Sequence, residues 1–135
     1  MSPPVPQPNE QETLVLVEDN AMVRRSMEAT LRGNGYRVIA VDSGRRCIET
    51  VEGLADPVAL LITDVVMPEM NGRDLARHVV SLNPRTKHLF MSGYTADIIA
   101  HHGVFDEGAP FIEKPFSAAE LAIKVSEALK GESAA

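Results

Sequence analysis

The sequence predicts an α/β fold: (βα) repeated five times, a three-layer sandwich with a parallel five-stranded sheet between two layers of helices. Three observations predict it. Short, wholly apolar runs recur along the chain. Segments with helical spacing separate them. The intervals are long enough for the crossovers that parallel strands require. Continuous apolar runs suit strands buried on both faces, and crossovers of this length place helices on both sides of the sheet.

The first strand is the run Leu14, Val15, Leu16, Val17. A helix follows on Val23, Met27 and Leu31, stopped by Gly33-Asn34-Gly35. Residues 38–41 are the second strand. Ser43 caps a second helix carrying Cys47, Ile48 and Val51. Residues 58–62 are the third strand, and Leu75, Val79 and Leu82 mark a third helix that ends before Pro84. The runs 88–91 and 110–112 are weaker candidates for the fourth and fifth strands. Between them a short helix is expected around Ile98 and Ile99, and residues 95–108 are expected to be the most mobile part, with few apolar positions. Ser117-Ala118-Ala119-Glu120 reads as a capping box, opening a last helix with Leu121, Val125 and Leu129 on one stripe.

Composition narrows the function classes. The 135 residues, 44% hydrophobic, support one core. Four prolines and little apolar content make 1–12 a flexible tail or interdomain linker. The folded domain is expected over 13–130, with 131–135 as a second flexible tail. A net charge of −6 argues against direct nucleic-acid binding, which needs clustered cations. No apolar run reaches the roughly 18 residues of a spanning helix, so no membrane insertion is expected. The start lacks the apolar core of a signal peptide, and the single Cys47 leaves no internal disulfide. These features fit a soluble cytoplasmic domain.

Ligands of open α/β sheets bind beyond the carboxyl ends of the strands, at the topological switch point. Glu18 and Asp19 follow the first strand directly, and Asp64 closes the third. With the flavodoxin-like order 2-1-3-4-5 these strands are neighbours, and three carboxylates share one mouth. Anions this close oppose one another's ionisation, and a hard cation such as Mg²⁺, with about six oxygen ligands, relieves the conflict. Ser92 ends the fourth strand and Lys114 follows the fifth. A hydroxyl that donates and an ammonium that neutralises complete an electrostatic clamp suited to phosphoryl transfer. Asp64, central and leading into a loop, is the better nucleophile. A lone acid at a strand end is more often merely solvated; three at adjacent strand ends weaken that explanation.

Four motifs carry a family resemblance over residues 13–129. They are Glu18-Asp19, Asp64-Val65-Val66-Met67-Pro68-Glu69-Met70-Asn71-Gly72, Met91-Ser92-Gly93 and Lys114-Pro115-Phe116. In this order and on these strands, the chain resembles response-regulator receiver domains of two-component signalling. The resemblance implies that Asp64 is the phosphoacceptor. It implies that Asp19, Asp64 and the backbone carbonyl of Val66 ligate Mg²⁺, with Glu18 acting directly or through water. Ser92 would follow the phosphoryl group, Lys114 would pair with it, and Phe111 would be the switch aromatic. The Lys114-Pro115 bond would be cis. The implied partner is a histidine kinase or histidine phosphotransfer domain, with a homodimer left open. The chemistry would be the domain's own phosphorylation and dephosphorylation, without a separate substrate.

Several positions depart from the commoner pattern. Glu18 stands where aspartate is usual, Ser92 where threonine is, and Phe111 lacks a phenol oxygen. Val66 and Tyr94 would border the acyl phosphate and offer no carboxylate or amide to orient an attacking water, so dephosphorylation is expected to be slow. Met91-Ser92-Gly93-Tyr94-Thr95 with His102-Gly103-Val104 is most similar to the receivers at the carboxyl end of hybrid sensor histidine kinases. The alternatives are a stand-alone single-domain regulator and a non-phosphorylated pseudo-receiver. The intact Asp19, Asp64, Ser92 and Lys114 set argues against the latter. A haloacid-dehalogenase-type phosphatase would need a second acid where Val66 stands. Cys47 reads as a buried small hydrophobe. Arg24, Arg25, Arg45, Arg46, Arg73 and Arg77 read as solvated helix faces.

Overall fold

The computed structural model describes residues 12–67, 69–93 and 110–130. Five parallel strands form the sheet: β1 (Thr13–Val17), β2 (Arg37–Val41), β3 (Leu60–Asp64), β4 (Lys87–Ser92) and β5 (Phe111–Glu113). Their order is β2-β1-β3-β4-β5, as the flavodoxin-like arrangement requires. Among the described residues four helices accompany them: α1 (Ala21–Gly33), α2 (Gly44–Glu52), α3 (Gly72–Leu82) and α4 (Ala118–Lys130). The helix expected around Ile98 and Ile99 and the expected mobile stretch 95–108 lie outside the described residues, as do 1–11 of the expected tail 1–12 and the expected tail 131–135.

The apolar runs are continuous because the sheet is covered twice. Successive strand side chains point to opposite faces. Leu14, Leu16, Leu60, Ile62, Leu89 and Met91 pack with Met27 and Leu31 of α1 and Leu121 and Val125 of α4. Val15, Val17, Leu61 and Phe90 pack with Cys47 and Val51 of α2 and Leu75 and Val79 of α3. All five residues of β1 and of β3 are buried. The edge strand β2 has only Val38 fully inside. It has a neighbour on one side only, so its apolar run is half covered.

Boundaries follow local chemistry. The Asn20 side chain accepts from Val23 N at 3.0 Å and starts α1. Gly35, at φ 98°, makes the turn out of it. Ser43 accepts from Arg46 N at 3.2 Å and caps α2 as expected. The capping box is present: Ser117 N donates to Glu120 at 2.8 Å, and Glu120 N to Ser117 Oγ at 3.0 Å. Two expectations shift. β3 begins two residues later than its apolar run and extends through Thr63 and Asp64. Leu82 is 40% exposed, because as the last residue of α3 it has no following turn to cover it. The stripe of α4 buries Leu121, Val125 and Ala128, with Leu129 only partly covered.

Candidate functional site

The register of the sheet assembles the site. β1 and β3 pair with Val17 opposite Thr63, so the residues after Val17 and at the end of β3 emerge together. Among the described residues, Glu18, Asp19 and Asp64 each offer a carboxylate oxygen, and these lie within 4.8 Å of one another. Glu18 is 1% exposed and Asp64 6%, whereas Asp19 faces solvent. The Lys114 ammonium lies between the two buried acids, 2.6 Å from Glu18 Oε1 and 2.7 Å from Asp64 Oδ1.

The main chain around the cluster is pinned on every side. Glu18 N donates to Val41 O at 3.1 Å, and Val65 N to Met91 O at 2.9 Å. Lys114 N donates to Ser92 O at 2.8 Å, which ties the lysine to the end of β4. Thr63 Oγ1 donates to Asp64 O at 3.0 Å. The loop after Asp64 closes through Gly72 N, which donates to Val65 O at 2.7 Å. A Cβ on Gly72 would overlap the carbonyl of Asp64. The glycine is therefore required by close approach of two backbones.

Burial pushes the Asp64 carboxyl up to about 7; the Lys114 hydrogen bond opposes this, and the negative charge of Glu18 adds to it. Burial on its own would lower the Lys114 ammonium, but hydrogen bonds and charge from Asp64 and Glu18 outweigh that and hold it above its ordinary value. The conflict among anions that the spacing predicted is thus present. Among the described residues its partial remedy is Lys114, which meets two of the three carboxylates.

Ser92 is buried at the end of β4, one position beyond Met91, the register partner of Asp64. Phe111 opens β5 opposite Phe90 and packs, half-buried, against the α2–α3 side of the core. Val66 is 54% exposed in the loop after Asp64. Tyr94 lies outside the described residues. The Lys114-Pro115 bond is cis. A groove of ≈ 850 Å³ opens beside Asp19, between α2 and the Asp64 loop, lined in part by Ser43, Met67 and Met70.

Two contributors were not legible as such. Arg24, read as a solvated face, reaches back from α1 so that its Nη1 donates to Glu18 O at 2.8 Å. Asn20, besides capping α1, donates its N–H to Glu18 Oε2 at 3.0 Å. Asparagine immediately before a helix is a favoured cap residue, a signal that could have marked Asn20, and nothing in the pattern tied Arg24 to Glu18.

The profile of the response regulator receiver domain family matches residues 14–126. This chain belongs to that family. It is 39% identical over 118 residues to the sensor kinase CckA of Brucella abortus, covering 87% of this chain and 12% of the kinase. It is 32% identical over 116 residues to the response regulator receiver protein CpdR of the same organism, covering 86% of this chain and 95% of that protein. Among solved structures, a receiver protein from Sinorhizobium medicae superposes with a TM-score of 0.77 at 31% identity, over 90% of this chain and 97% of that one. The receiver domain of the hybrid histidine kinase CckA gives 0.73 at 29% identity, over 87% and 98%. The chain is a receiver domain of two-component systems, related both to hybrid-kinase receivers and to a protein that is almost wholly receiver. Among the described residues, no helix is long and apolar enough to cross a membrane.

Proposed function

We propose that this receiver accepts a phosphoryl group on Asp64 from the phosphohistidine of a histidine kinase or histidine phosphotransfer domain. One observation carries the reading: three carboxylates within 4.8 Å of one another at the strand ends, with the Lys114 ammonium against two of them. An Asp64 oxygen attacks phosphorus, the phosphorus–nitrogen bond to the donor imidazole breaks, and that nitrogen takes up a proton. The product is an acyl phosphate on Asp64. Lys114 neutralises the charge that arrives, and the Ser92 hydroxyl donates to a phosphoryl oxygen.

The donor set fits Mg²⁺, since it consists of hard oxygens with one open, solvent-facing side at Asp19. Asp19, Asp64 and the backbone carbonyl of Val66 would hold the ion, with Glu18 acting directly or through water. When bound it supplies charge neutralisation for the phosphoryl oxygens. Phe111, without a phenol oxygen, switches by packing, and phosphorylation shifts a two-state equilibrium around β4 and β5. Val66 and Tyr94 carry no carboxylate or amide to orient an attacking water, so the acyl phosphate is long-lived; a lifetime of seconds would overturn that point.

The likeness to CckA supports an origin as the receiver part of a hybrid kinase. A stand-alone regulator is the second reading, supported by the coverage of nearly all of CpdR. The test of the phosphoacceptor is intact-mass measurement after incubation with Mg²⁺ and acetyl phosphate, beside Asp64→Asn. A Mg²⁺-dependent gain of one phosphoryl group, lost in the variant, is expected. No gain from acetyl phosphate or from a phosphorylated histidine donor, in a folded sample, would leave only an interaction module.

A further inference from the structure

Glu18 is the acid in the cluster with no freedom left. Its N–H is bonded to Val41 O, its carbonyl to the Arg24 guanidinium, and its Oε2 to Asn20 N. The side chain is 1% exposed. The remaining oxygen, Oε1, meets the Lys114 ammonium at 2.6 Å, the shorter of that ammonium's two carboxylate contacts. We infer that Glu18 is a positioning residue for Lys114, clamping its ammonium against Asp64. The inference rests on the receiver reading and deepens it.

Chain length is the reason for glutamate here. An aspartate is shorter by one carbon–carbon bond, roughly 1.5 Å. From the same pinned main chain it leaves the ammonium beyond hydrogen-bond range. Lys114 enters on the loop after the three-residue strand β5 and is itself a quarter exposed. Without the clamp its flexible stem samples solvent, and three anions lose their countercharge. With the clamp, Lys114 is a resident cation at the mouth, and a divalent ion entering there meets a site already partly neutralised. The long first acid therefore trades metal affinity for a lysine held ready beside the phosphoacceptor.

The test compares wild type, Glu18→Asp and Glu18→Gln. NMR of the lysine ammonium groups, with Lys114 assigned by Lys114→Arg, reads the clamp directly. Calorimetric titration with Mg²⁺ alone reads its consequence, with Asp19→Asn as the control for a lost ligand. The wild-type Lys114 ammonium is expected to give a sharp, slowly exchanging signal that broadens in both Glu18 variants. Glu18→Asp is expected to bind Mg²⁺ about tenfold or more tightly than wild type, the scale of one displaced charged hydrogen bond. An ammonium signal absent from wild type, or unchanged in both variants, overturns the inference. So does a Glu18→Asp affinity equal to or weaker than wild type. If wild type binds no Mg²⁺ and takes no phosphoryl group, the receiver reading fails instead, and the ammonium signal alone decides the pairing.

Discussion

Replacing Asp64 by asparagine is expected to stabilise the metal-free protein at pH 8 while abolishing phosphoryl uptake. Burial is the main reason that the carboxyl is pushed up to about 7, from an ordinary value of 3.8. A group whose folded pKa is raised destabilises the fold wherever it must ionise. The stability is fully present below about pH 4 and is lost as the pH rises through about 7. The full shift corresponds to about 4 kcal/mol at pH 8. Asparagine avoids that cost; the Lys114 hydrogen bond and charge oppose the shift and are already contained in it. Burial wins, because Lys114 keeps Glu18 at 2.6 Å. The gain is up to about 4 kcal/mol at pH 8, read as a later urea midpoint with divalent ions chelated. It should shrink as the pH falls below about 7 and approach zero below about pH 3, where wild-type Asp64 is protonated in both states. Saturating Mg²⁺ should stabilise wild type by mass action and so narrow or reverse the gap. A variant no more stable than wild type at pH 8, or a gain of equal size at pH 4, would refute the reasoning.

Gly72→Ala should cost about 2 kcal/mol or more in urea unfolding and depress labelling by acetyl phosphate, because the new methyl meets the Asp64 carbonyl, which cannot rotate away. Ser117→Ala should cost about 1 kcal/mol and speed amide exchange in the first turn of α4, since it leaves Glu120 N without its cap. The Cys47 thiol is fully buried and pushed up to about 12 by that burial. It should react with thiol reagents only as fast as the protein unfolds, and rapid labelling of the folded chain would contradict its place in the core.

The sequence by itself determined the sheet and its order of elements. Runs such as Leu14, Val15, Leu16 and Val17 are apolar on both parities, and only a strand covered on both faces makes use of that. It also determined the helix starts at Ser43 and Ser117, because a cap is a local hydrogen bond between residues three apart. The convergence of Glu18, Asp19 and Asp64 was legible because strand-end positions follow from topology.

Tertiary structure alone decided the rest. Which acid holds Lys114 depends on contacts between residues 96 apart in the chain, and no periodicity reports them. Arg24 has the spacing of a surface residue and nonetheless turns back to Glu18 O. The third-helix stripe predicted Leu82 to be core, but helical spacing says nothing about where the next layer ends, and Leu82 stays exposed. Local pattern reports which face a side chain takes, because backbone geometry sets that within a few residues. What the side chain meets on that face is set by the packing of distant segments, and there the charges of Glu18, Asp64 and Lys114 are brought into contact.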